Sequence, residues 1–486
     1  MRTTVFAVIT ALTVAGWLGR PNAATWYIKP DGTGDAPTIM AAVESLMVAV
    51  KSTSSAPDTI LLAPGTFSGL GNYEITNLGC PQLVFTSEAG PESTVIDCQG
   101  LGRGFTVPWD FIVISGITVQ NGDALYDPGE DRGGGIYGGS VITNCILRNN
   151  HADDQGGGVY TFGTFSGNLV VNNTASFGAG IRFGGDAVVT DNTVTGNSAL
   201  IGGGGIAGGA TAPSAATVSH NRITLNSAGY EGGGFSGGGN LTFSDNLVTE
   251  NHSEYSGGGM RVSYGATVSD NVIAHNTANH SGGGIYMVSE GRKPLVLRNK
   301  ISENQAPQGA GIATSDQFYI RENEITHNIA AESGGGIFCG KGQGEIGRNT
   351  ICENQAPQGA GVVMVQNFNS VLENNIVVLN APGPGVECLV DTGWPAYFSC
   401  CNVYGNEGGN SLCGTDGGGN FSLDPQFCGI PGSGNYFLQS DSPCAPGNHP
   451  TGVNCGLIGA LPVNCGTVET QTKTWGNIKS LYKRDD

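Results

Sequence analysis

Charge is scarce in this chain of 486 residues: Asp, Glu, Lys and Arg together make up 13%, and 21 Lys and Arg stand against 40 Asp and Glu, a formal net charge of −19. A protein that grips nucleic acid through its phosphates needs the opposite balance, so that class is excluded. Aromatic residues are few, at 8%. Long apolar runs are also lacking. The one from Val5 to Leu18 is too short and too isolated for a bilayer-spanning helix, and no other stretch is long enough to compete. Beyond it the apolar stretches are short and β-branched, whereas a helix needs roughly ten or more residues at a period of 3.6. Glycine, by contrast, is abundant at 81 residues, more than double the usual share of ~7%. A hydrophobic content of 39% is too high for a disordered chain. The glycine load excludes a helical solenoid, because each internal glycine costs a helix about 1 kcal/mol.

Met1-Arg2, the apolar run and then Pro21-Asn22-Ala23-Ala24 read as a secretory signal peptide cut near Ala24. Thirteen cysteines, eight of them between Cys388 and Cys465, fit the oxidising setting of an exported protein. The expected location is therefore extracellular or at the cell surface.

From Asn144 onward, asparagines five apart recur: Asn144/Asn149, Asn168/Asn173, Asn192/Asn197, Asn221/Asn226, and so on to Asn375/Asn380. The first members are spaced 24, 24, 29, 25, 25, 28, 24, 26 and 26 residues apart. A period near 26 means a solenoid. An apolar residue lies three before each first asparagine (Val141, Phe165, Val189) and another two after it (Ile146, Val170, Val194). A third follows a small-residue triplet such as Gly257-Gly258-Gly259. Three short strands and three turns make one coil of a right-handed parallel β-helix, with coils stacked ~4.8 Å apart. Asparagine suits a fixed corner because it tolerates left-handed backbone angles and its amide can bond the amide of the next coil.

With these repeats, with the glycine triplets, and with Phe165-Ser-Gly-Asn168 and Phe243-Ser-Asp-Asn246, the chain resembles right-handed parallel β-helix proteins of the pectate-lyase-like superfamily. Its repeats are similar to those of polymorphic outer-membrane proteins. The likeness runs from about residue 26 to 465 and implies an all-β solenoid. The expected divisions are a signal peptide (1–24), a strand and capping helix (25–57), the β-helix (58–386), a disulfide-rich terminal cap (387–465) and a tail (466–486). Asp35 is the expected helix N-cap, with Pro37 in the first turn and Ile39, Val43, Leu46 and Val50 on one face. Expected bridges are Cys80/Cys98, Cys401/Cys413, Cys428/Cys444 and Cys455/Cys465, although spacing alone leaves connectivity open.

Function must come from a site, because one solenoid hosts many activities. An acidic loop carries Asp123, Asp127, Glu130 and Asp131, and the next coil carries Asp153 and Asp154. Carboxylates on one edge suit calcium as a cofactor, which in turn would bridge to an acidic polysaccharide. Asp153, Asp154 and Asp127 are also the catalytic candidates, as acid and base for glycoside cleavage. The competing reading is a solvated acidic loop. A column of Glu250, His275, Glu303, His327 and Glu353 offers a metal stripe, or simply alternating charge between paired strands; Asp270, Arg298, Glu322 and Arg348 alternate likewise. Tyr230, Glu231, Glu254, Tyr255 and His280 in the turns are ligand-binding candidates, as ring and acid groups along a sugar-binding edge. The arginines look scattered, and the Gly-His-Gly, Arg-Ile-Lys and Asp-Pro-His motifs of the family's polygalacturonases and epimerases are missing. The reading is therefore a surface protein that binds, adheres or builds, with polysaccharide or another cell-surface ligand as partner. The alternative is a calcium-assisted polysaccharide lyase or hydrolase.

Overall fold

The computed structural model describes residues 23–49, 57–76, 82–107, 111–124, 131–367, 369–389 and 395–465. Residues 1–22 of the expected signal peptide, Cys80, Asp127, Glu130, Val50 and the tail lie outside them. Three parallel sheets of 16, 14 and 13 strands run the length of the molecule, each strand pairing with its counterpart one coil away. One coil passes through Ile181–Gly184 in the 13-stranded sheet, Val188–Thr190 in the 16-stranded sheet and Thr193–Thr195 in the 14-stranded sheet. The register is the one the apolar columns require. Ile181 pairs with Ile206, Ile206 with Phe235, and Phe235 with Met260, while Val194 pairs with Ile223 and Val189 with Val218. All of these side chains are buried in one continuous apolar cluster. Solvation on one face only explains the alternation, since each strand sends every second side chain inward.

The structure adds a fourth sheet where turns were expected. Nine short strands, among them Thr174–Phe177, Ser198–Gly202, Ser227–Ala228 and His252–Ser253, follow the second asparagine of successive coils. Their inward alanines Ala152, Ala175, Ala199 and Ala228 form a cluster of their own. Small side chains are enough here because the wall lies close to the neighbouring glycine triplets. A Cβ on Gly258, for example, would run into the Thr277 carbonyl oxygen of the next coil.

Two asparagine ladders cross the coils. In each, the side-chain oxygen accepts both the backbone N–H and the amide N–H of the asparagine one coil before it, as Asn271 does from Asn246 at 2.8 and 3.1 Å. The left-handed backbone belongs to the residue before the ladder asparagine, such as Asp245, Glu250 or His275. The amide-to-amide bond expected of asparagine is thus present, whereas the left-handed angle expected of it falls on the preceding residue, and the first pair is displaced. Asn144 and Asn149 are themselves left-handed corner residues, and the ladder positions are Cys145 and Asn150. The inward residues there are accordingly Ile142 and Leu147 rather than Val141 and Ile146.

The helix α1 spans Ile39–Ala49 and buries Ile39, Val43 and Leu46 in the main cluster. Its N-cap is Thr38, whose hydroxyl accepts the Ala41 N–H at 3.2 Å. Asp35 accepts from the Tyr27 N–H instead, so Pro37 precedes the first turn rather than lying in it. No helix among the described residues is long and apolar enough to cross a membrane.

Strand pairing continues past Val386 to Thr415–Asp416. The cysteine-rich segment then folds back along the outer face of the 14-stranded sheet. Tyr436, Leu438, Cys444 and Ile458 pack there on Cys352, Ile376 and Val378. The bridges are Cys388–Cys413, Cys400–Cys455 and Cys428–Cys465. Three expected pairings are thereby corrected: Cys413 joins Cys388, Cys455 joins Cys400 and Cys428 joins Cys465. Cys401 and Cys444 are buried thiols. The reason is the return path: a segment lying against the side of the solenoid brings together cysteines far apart in sequence. Cys98 is buried, and Cys80 lies outside the described residues.

Candidate functional site

A groove of about 440 Å³ runs along the fourth sheet from His151 to His252. In each short strand the first and third residues point outward and the second inward. Ser198, Ser227 and Gly229 are small at the outward positions, which hollows out the middle of the groove. The ends are taller. His151 stands with Nδ1 2.7 Å from Thr174 Oγ1 and Nε2 3.1 Å from Asp153 Oδ1. His252 repeats this, with Nδ1 2.8 Å from Thr277 Oγ1 and Nε2 3.3 Å from Glu254 Oε1. Each end is thus a hydroxyl, an imidazole and a carboxylate in one hydrogen-bonded chain. Leu200 projects between them, 72% exposed.

Of the residues singled out from sequence, the groove takes Asp153 and Glu254. Asp154 turns away to Arg132 at 3.4 Å, so the adjacent acids serve separate partners. Asp131 contributes its carbonyl oxygen to the Asp154 N–H. Asp123 bridges to His151 in the backbone ladder, while Asp127 and Glu130 lie outside the described residues. Among the described residues no group of three or more His, Cys, Asp or Glu side chains is placed to hold a metal.

Tyr230, Tyr255 and His280 form a stack beside the groove, with ring centroids 4.7 and 4.6 Å apart. Tyr255 is sandwiched between the other two rings. Glu231 is tied to Arg261 at 2.9 Å, and burial raises its carboxyl above the ordinary value. The two charged columns occupy the left-handed corners and pair internally. His275 meets Glu303 at 3.4 Å, His327 meets Glu353 at 2.9 Å, and Arg298 meets Asp270 through two bonds of 2.8 Å. In the second column the alternation of sign is an ion-pairing pattern, and in the first it sets imidazoles beside carboxylates. The arginines are less scattered than they look in sequence, because Arg132 lies over the ring of Tyr160, whose partner across the ladder is Arg182.

Sequence reasoning missed His151, Thr174 and Thr277. The signal was a His-x-acid triplet directly after a ladder asparagine, at 151–153 and again at 252–254, with threonine one coil on. It was hidden because the first ladder position had been set one residue early.

No curated protein matches the sequence. Among solved structures, the chain is similar to pectate lyase Pel9A, with 15% identity over 90% of this chain and 96% of that one, and a TM-score of 0.34. It is also similar to the A-module of the Azotobacter vinelandii mannuronan C-5 epimerase AlgE6, with 14% identity over 80% of this chain and 95% of that one, and a TM-score of 0.36. These scores carry no argument about activity. Residues 201–325 match the family model of the right-handed β-helix region, and the same register extends over the coils on either side. The chain folds as a right-handed parallel β-helix, and its central coils match the family model of that region.

Proposed function

We propose that the protein is exported and binds polysaccharide along the groove of the fourth sheet, in an adhesive or structural role at the cell surface. The observation that carries this is the groove itself: a trough parallel to the solenoid axis, lined by hydroxyl, imidazole and carboxylate groups that match sugar hydroxyls as donors and acceptors. The three bridges of the returning segment fit an oxidising compartment. A second reading, a polysaccharide lyase or hydrolase, is favoured by one feature, the Thr174–His151–Asp153 chain, in which an imidazole is placed to take a proton from a hydroxyl. In that reading calcium would be held by carboxylates drawn from Asp123, Asp127, Glu130, Asp131, Asp153 and Asp154.

The test is purified mature protein against acidic and neutral polysaccharides, with and without calcium, scoring both retention and chain cleavage. Retention without cleavage supports the binding role. Calcium-dependent cleavage that is lost in Asp153→Ala or Asp127→Ala replaces it with the enzymatic one. Retention that survives deletion of 122–132 places the ligand in the groove rather than on the acidic loop.

A further inference from the structure

We infer that the groove takes an uncharged polysaccharide chain lying parallel to the solenoid axis and held at both ends by equivalent clamps, Thr174–His151–Asp153 and Thr277–His252–Glu254. This rests on the polysaccharide-binding reading above and names the class of glycan. Three observations carry it.

The first is charge. Among the described residues that line the groove there is no Lys or Arg, whereas Asp153 and Glu254 are present. The whole chain carries a net charge of −19. A polyuronate laid here would bring a carboxylate on every sugar against an acidic wall with no basic partner, and like-charge contact suppresses binding. Sugar hydroxyls meet no such penalty, because they can donate to the carboxylates and either donate to or accept from the imidazoles.

The second is repetition. The two clamps share the same chemistry at the same position in the coil, with 2.7 and 2.8 Å from imidazole to threonine and 3.1 and 3.3 Å from imidazole to carboxylate. Residues 151, 174, 198, 227 and 252 occupy successive coils of the ladder, so the clamps are four coil steps apart, about 19 Å at ~4.8 Å per step. A polymer repeating along the axis meets both clamps, and a mono- or disaccharide meets only one.

The third is the floor. Between the clamps the outward side chains are the hydroxyls of Ser176, Ser198 and Ser227 and the apolar side chain of Leu200. The Ser227 hydroxyl donates to that of Ser198 at 3.1 Å. A hydroxyl pair beside an apolar surface suits the edge and face of a neutral sugar and offers nothing to a fixed charge.

The experiment is titration of the full mature chain in chelator with neutral β-linked gluco-oligosaccharides of graded length, and in parallel with polygalacturonate. Affinity for the neutral series is expected to rise with length until both clamps are spanned. His151→Ala or His252→Ala should each lower the affinity of long chains about tenfold, the value of one or two hydrogen bonds. Both histidines are partly exposed, and the shape-preserving double variant Asp153→Asn with Glu254→Gln should gain affinity for polygalacturonate. Polygalacturonate bound more tightly than the neutral series in chelator overturns the inference, as does affinity that is flat with length. If the His variants weaken whatever binding is seen, the groove remains the glycan site and only the uncharged class or the two-clamp span is lost. If no glycan binds in any arm, the polysaccharide-binding reading falls as well.

Discussion

The side-chain oxygen of Asn271 accepts two hydrogen bonds from Asn246, one from its backbone N–H and one from its amide, and both residues are buried. The Asn271 amide in turn donates to the Phe243 and Ser269 carbonyls and to Asn299. An interior rung thus satisfies backbone groups that no strand partner reaches. Asn271→Ala is expected to strand the Asn246 N–H and neighbouring carbonyls, at about 1–3 kcal/mol each, so roughly 3 kcal/mol or more in all. Urea unfolding followed by circular dichroism measures it. A loss below about 1 kcal/mol would show that water replaces the rung.

Cys145 opens the first ladder, and Cys401 interrupts it near its other end, where Asn420 supplies the next rung. The Cys145 N–H donates to Asn168, and the Asn375 amide approaches the Cys401 sulfur at 3.9 Å. Cys145→Asn should extend the ladder by one rung. The new amide would donate to Asn168 and to the Ile114 carbonyl, which the thiol now approaches at 3.7 Å. The expected outcome is an unfolding midpoint equal to or above that of the parent, with a gain of up to about 1 kcal/mol.

The returning segment is attached to the solenoid through Glu353, which accepts from the Tyr436 hydroxyl and the Gly432 N–H, both at 2.6 Å. Burial and that carboxylate push the Tyr436 phenol above its ordinary value. Replacing Cys400 and Cys455 by serine is expected to cost about 2–4 kcal/mol, because the bridge closes a long loop, and to loosen the segment from the sheet. Cys444 of the segment and Cys352 of the sheet are buried where the two meet, and burial pushes the Cys444 thiol up to about 12. Alkylation read by mass spectrometry should find both unreactive in the parent and labelled in the variant.

Burial pushes the Asp97 carboxyl up, but bonds from Asn121, Gln120 and the Gln99 N–H, with the nearby Arg148 charge, outweigh it and hold the group below the ordinary value. A depressed carboxyl contributes stability that is present above the unfolded value of about 3.9 and is lost as pH falls through the folded one. The deficit of Asp97→Ala relative to the parent should therefore be present at neutral pH and shrink as the solution is acidified through that window. A deficit independent of pH would assign the effect to packing.

The β-helix was legible because its determinants are local and repeat. An apolar residue at three fixed places in some 26 residues specifies which faces turn inward, and a solenoid requires nothing more distant than the next coil. The inward columns from Phe165 to Leu372 and from Val170 to Val377 follow directly from the spacing. The first coil was misread because asparagine occupies both the left-handed corner and the ladder position, and a pair five apart looks the same in either register; only the hydrogen bonds separate Asn144 from Cys145. The site was half legible. Asp153 and Glu254 stood out as acids, but their partnership with His151 and His252 depends on which residues of the fourth sheet face outward. That sheet's strands are too short to show a period of their own. The bridges were decided by tertiary structure alone, because the path of the returning segment is set by the exposed apolar face of Cys352, Ile376 and Val378, which belongs to a different part of the chain. Nearest-neighbour stacking is written in the local repeat, whereas contacts across the coils become visible only once the chain has been wound.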